Sequence, residues 1–69
     1  MVEIFKTNVQ EVTEAKSLVH LLLHHFPDCK INFDLHDCDK ILRVEGKEYA
    51  MDKVIRLVTE KGFACKVLE

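Results

Sequence analysis

The spacing of the apolar residues switches back and forth between two periods along a chain of only 69 residues. That alternation narrows the available folds more than any other feature. A period of two places apolar side chains on one face of a strand, whereas recurrence at three and four positions places them on one stripe of a helix. Met1 to Lys6 alternates, with Val2 and Ile4 expected on the core side and Glu3 and Phe5 on the other. Thr7 and Asn8 are N-cap types, and Asn8 followed by Glu11 has the spacing of a capping box, so a helix is expected to start there. Val12, Ala15, Leu18, Val19, Leu22, Leu23 and Phe26 then share one stripe, with Thr13, Ser17, His20 and His24 on the polar side. Pro27 ends the run, because the residue before a proline is pushed out of the helical region.

Lys30 to His36 sets Ile31, Phe33 and Leu35 against Asn32, Asp34 and His36, and after Asp37-Cys38-Asp39-Lys40 a second apolar run spans Ile41 to Val44. This pattern predicts a β-hairpin. Met51, Val54, Ile55, Leu57 and Val58 return to helical spacing, with Asp52 and Arg56 placed as an i,i+4 ion pair and Gly62 as the left-handed residue after the helix. Phe63 to Leu68 alternates once more. The order is βαββαβ, which predicts a ferredoxin-like α+β fold in one domain over residues 1–69, a four-stranded antiparallel sheet with two helices on one face.

Composition bounds the function. With 48% hydrophobic and 32% charged residues the chain is expected to fold alone. A chain of this length buries only about 60% of its unfolded surface, leaving little volume for a deep substrate cavity. Neither a Ser/His/Asp set nor a Gly-rich phosphate loop occurs, so no catalysis is expected and no cofactor is implied. Ten basic against 12 acidic residues give a net charge of -2, which argues against nucleic acid as a partner. The longest apolar run, Leu21 to Leu23, is far too short for a membrane span. The segment MVEIFKTN lacks an apolar leader, and the three cysteines show no C-x-x-C spacing, so reduced thiols and a cytoplasmic location are expected.

Over its whole length the chain resembles the heavy-metal-associated domain of copper chaperones and metal-transporting ATPases. The likeness is carried by VEIF in the first strand, by Pro27 leading into Ile31, Phe33 and Asp34-Leu35, and by the closing Gly62-Phe63-Ala64-Cys65. The resemblance implies the scaffold. It does not carry over that family's metal site, a cysteine pair at the start of the first helix, because Thr7-Asn8-Val9-Gln10-Glu11-Val12 contains no thiol. Val9 to Val12 also echoes the phosphate loop of acylphosphatases, but Glu11 and Glu14 would repel a phosphate and the needed glycines and arginine are missing.

In this topology the loop after the first strand, the hairpin tip around Cys38 and the Gly62 turn share one end of the domain, and Cys29 lies at the other. Cys65 is expected in the core as a small hydrophobe. His36 and Cys38, flanked by Asp37 and Asp39, form the densest set of metal-ligand types, suited to zinc or copper but too few to close a tetrahedron. His20 and His24 share a helix face without a third ligand. Phe5, Ile41, Ala64 and Leu68 are expected on the open face of the sheet, with Phe5, Ile41 and Leu68 clustered as a protein-binding surface. The sequence thus points to a non-catalytic binding module whose partner is a protein or a second copy. The alternative is weak transition-metal binding or sensing through His36 and Cys38.

Overall fold

The computed structural model describes residues 1–47 and 49–68. Its elements are β1 (Val2–Thr7), α1 (Val12–His25), β2 (Lys30–Asp34), β3 (Ile41–Glu45), α2 (Met51–Glu60) and β4 (Cys65–Val67). All neighbouring strands are antiparallel, in the order β2-β3-β1-β4. This is the ferredoxin-like α+β fold that the alternation predicts.

β1 lies between β3 and β4, and its side-chain parity fixes which face of the sheet is the core. Phe5 is opposite Leu42 on β3 and Val67 on β4, and Thr7 is opposite Cys65. Phe5, Leu42 and Val44 are fully buried, beneath Leu22 of α1 and Val54 and Val58 of α2. The expectation that Phe5 faces outward is therefore wrong, and Val2 and Ile4 take the outer face instead. By count the two faces of VEIF favour Val2 and Ile4. By position they do not, because Val2 sits at the strand end and is 48% exposed, whereas Phe5 has a large apolar neighbour on each side. An aromatic ring also removes more apolar area from water than a valine does.

The first helix starts later than the Asn8 spacing predicts. Its N-cap is Glu11, whose side chain and that of Glu14 form the reciprocal capping box. Asn8 is engaged elsewhere, its Oδ1 accepting a hydrogen bond from the Ala64 backbone N–H at 2.8 Å. Val12, on the expected stripe, is 61% exposed at the first turn, while Ala15, Leu18 and Leu22 are buried. β2 stops at Asp34 and β4 covers only Cys65–Val67, both shorter than the alternation predicts. Asp52 and Arg56 are exposed, and no ion pair joins them among the described residues.

The end of α2 follows local rules. Gly62 has φ +96°, its N–H donates to the Thr59 carbonyl at 3.0 Å, and the Phe63 N–H reaches back to the Val58 carbonyl at 3.4 Å. Together these bonds form a Schellman motif. Gly46 is required for a different reason. A Cβ there would stand 2.6 Å from Cys29 Sγ, so the Cys29 thiol just before β2 fills the space that a side chain at position 46 would need.

Two predictions follow from this packing. Phe5→Ala should cost about 3 to 5 kcal/mol in chemical denaturation and Ile4→Ala about 1 kcal/mol or less, the reverse of the order expected if Phe5 faced solvent. Gly46→Ala should cost about 1 to 3 kcal/mol, with most of that cost absent when the same change is made in a Cys29→Ala background.

Candidate functional site

The hairpin tip is held by a chain of hydrogen bonds that begins in the core. Thr7, inward on β1 and buried, donates from Oγ1 to the Lys40 carbonyl and accepts from the Val9 N–H at 3.2 Å. Its own N–H donates to the Asp39 carbonyl at 3.1 Å. Lys40 adopts φ +47°, and its N–H and Nζ donate to the carbonyls of Asp37 and Leu35, each at 3.0 Å. Asp37 Oδ1 accepts from the Asp39 N–H at 2.8 Å, closing an Asx turn.

This geometry places the ligand atoms of Asp37, Cys38 and Asp39 within 4.8 Å of one another. His36 does not join them; it is exposed, and its N–H donates to Asp34 Oδ1 at 3.1 Å. The trio therefore includes Cys38 of the expected pair and not His36, and sets a thiol between two carboxylates. Asp39 is already held by Lys6 at 3.6 Å, and Asp37 by the turn. Soft and hard ligands are mixed at a solvent-washed tip, a donor set suited to weak coordination. His20 and His24 are exposed on α1, and no third ligand joins them among the described residues.

Among the described residues, the pKa values of two side chains are displaced, and both displacements point away from reactivity. Burial pushes the Cys65 thiol up to about 11. The Tyr49 phenol is held above its ordinary range by burial, then by the nearby charges of Glu3 and Cys29, and its buried hydroxyl has no hydrogen-bond partner among the described residues. An activated nucleophile needs the opposite direction of shift.

Ile41 and Leu68 do not cluster with Phe5 on the open face. β1 separates their strands, and Phe5 is beneath the sheet. Ile4 takes the outward place, accepting at its carbonyl from the Leu68 N–H at 2.8 Å. Around these apolar residues the outer positions hold Lys6 opposite Lys66, Arg43 opposite Asn32, and Asp34 opposite Ile41. The face is interleaved with charge, not an apolar patch.

A concavity lies between α1 and β2. This groove of about 470 Å³ is lined by Val12, Ala15, Val19, Ile31, Phe33 and Leu35, with Lys16, His20, Asp34 and His36 at its rim. It runs along β2, whose far edge carries no strand. Sequence reading missed it because it joins two elements whose stripes were each assigned wholly to the core. A signal was present in the apolar width of α1, where Val12 and Val19 extend beyond the buried Ala15, Leu18 and Leu22. A broader basin of about 840 Å³ at the opposite end is bordered by Phe26, Pro27, Cys29 and Lys47. No helix among the described residues is long and apolar enough to cross a membrane. Comparison of the chain with protein-family models, with curated proteins and with solved structures gives no match in any of the three.

The thiols provide one test of this geometry. Of the three cysteines only Cys38 is exposed, so a maleimide at neutral pH should label one position in the folded chain and none in Cys38→Ser. The raised Cys65 pKa adds a pH dependence. Its stabilising contribution is full below the ordinary thiol value of 9.0 and is lost as pH climbs towards about 11, a loss that Cys65→Ala should remove from the alkaline unfolding curve. Zinc titrated into reduced protein should bind no tighter than micromolar, with Cys38→Ser reducing the affinity and His36→Ala leaving it unchanged.

Proposed function

We propose that this chain is a small non-catalytic protein-interaction module whose binding surface is the groove between α1 and β2. The observation that carries the reading is the coincidence of an apolar groove with an open strand edge. An edge strand offers N–H and C=O groups that a further strand can pair, while side chains from the added segment enter the adjacent groove. Affinity then comes from the backbone and selectivity from the groove. The raised pKa values of Cys65 and Tyr49 support the non-catalytic part, since burial holds both groups in their protonated, unreactive forms.

On this reading the likeness to heavy-metal-associated domains is one of scaffold. The loop that carries that family's cysteines has another use in this chain. Thr7 ties the hairpin to β1, Val9 is fully buried, and Asn8 fixes the approach to β4.

The test is a photo-crosslinking amino acid at Val19, in the groove, compared with one at Thr59, exposed on α2. Irradiation of cells expressing each form should give a discrete adduct from the Val19 position and none from Thr59. Val19→Glu should prevent partner capture by a crosslinker placed at His20 while leaving the circular dichroism spectrum unchanged. Equal crosslinking from both sites, or none from Val19, would refute the reading.

A further inference from the structure

We infer that the partner seated on the β2 edge is a second copy of this chain, the two β2 strands pairing antiparallel into one continuous sheet. The inference rests on the reading above and names the occupant of that edge. Its basis is the order of charges along β2, tested against the registers that symmetry permits.

Two identical chains paired edge to edge about a twofold axis perpendicular to the sheet keep their helices on the same side. Paired residues in antiparallel strands project to the same face, so inner-face Ile31 and Phe33 must meet inner-face residues of the second copy. The register must therefore centre on a residue, and Ile31, Asn32 and Phe33 are the choices that overlap the strand well. Centred on Ile31, Asp34 would oppose Asp28 of the second copy, a like-charge contact. Centred on Phe33, Lys30 would oppose His36, and Asp34 would oppose Asn32. Centred on Asn32, Lys30 faces Asp34 of the second copy and Asp34 faces its Lys30, while Ile31 meets Phe33 on both sides of the axis. Asp28 and His36, just beyond the strand ends, also fall opposite one another.

Opposite charges and aromatic with β-branched residues are the cross-strand pairs that favour association. Lys30, Asn32 and Asp34 are all exposed, and Lys30 and Asp34 have no ion-pair partner within the chain among the described residues. Asp34 gives one carboxylate oxygen to the His36 N–H and retains the other. On the helix side, pairing brings the groove linings of the two copies together, and half-buried Phe33 and Val19 lose their remaining contact with water. The opposite edge of the sheet is the three-residue β4, too short to compete.

Sedimentation velocity on the parent chain over a concentration series should show a reversible monomer–dimer equilibrium that weakens as salt is raised. Lys30→Asp and Asp34→Lys each place like charges opposite one another on both sides of the axis and should weaken dimerisation at least about tenfold. An equimolar mixture of the two variants restores opposite charges and should dimerise, as should the double variant Lys30→Asp/Asp34→Lys alone. Ile4→Glu, on the open face, should dimerise like the parent. A parent that stays monomeric at about 1 mM, or single variants that associate like the parent, or a mixture no more associated than its components, would overturn the proposal. A Val19 adduct with the mass of a different protein would overturn it too, while leaving the interaction-module reading standing.

Discussion

The inward projection of Phe5 is the constraint on which the other contacts depend. β1 has a strand on each side, so its parity is imposed on Leu42 and Val44 across one edge and on Cys65 and Val67 across the other. Once Phe5 is inside, Thr7 two positions on is inside as well, and a buried hydroxyl needs partners. It finds them in the Lys40 carbonyl and the Val9 N–H. The hairpin is therefore tied to the core through the Thr7 hydroxyl and backbone N–H, and Lys40 is held at φ +47°, a left-handed conformation that a lysine adopts only when its surroundings fix it. The position of Asp37, Cys38 and Asp39 thus follows from the parity of a strand some thirty residues earlier in the chain.

Local signals in the sequence were legible where the chain satisfies them locally. Gly62 ends α2 through bonds to residues one turn back, and Pro27 follows α1 directly, so both could be read from neighbours alone. The start of α1 could not. Asn8 and Glu11 have capping-box spacing, but Asn8 bonds to Ala64, fifty-six positions away, and the cap passes to Glu11 and Glu14. Phe5 failed for a related reason. An alternating segment with apolar residues on both faces leaves parity undecided until its neighbours are known, and those neighbours are Leu42 and Val67. The placement of Ile41 and Leu68 on the outer side of their strands was legible. Their separation by β1, and the removal of Phe5 from between them, depended on that parity. The groove between α1 and β2 is a relation between two elements, and neither period alone specifies how completely one covers the other.

A sheet covered on one side by two helices leaves an outer face and two edges for binding. On the outer face Lys6, Lys66 and Arg43 are interleaved with the apolar residues, so a partner would have to desolvate cations to reach Ile4 or Leu68, at a cost that favours leaving the face in water. The β4 edge offers three residues. The β2 edge offers five residues and the adjoining groove. Both the polar cost and the available backbone therefore favour the same side of the molecule.

Charges on an edge strand ordinarily act as protection, because an arbitrary incoming strand leaves them unmatched and desolvated. Lys30 and Asp34 serve that purpose against most partners. Their order makes one exception, since an antiparallel copy of the same strand centred on Asn32 satisfies both charges at once, and the adjacent even registers satisfy neither pair. In the proposed dimer the two residues that discourage promiscuous strand addition would select the copy that fits, and specificity would arise from what the wrong registers lose as much as from what the right one gains. In that dimer a five-residue edge beside an apolar groove would not be an aggregation site, because twofold pairing would use up the β2 edge of both copies and leave only the short β4 edges outermost.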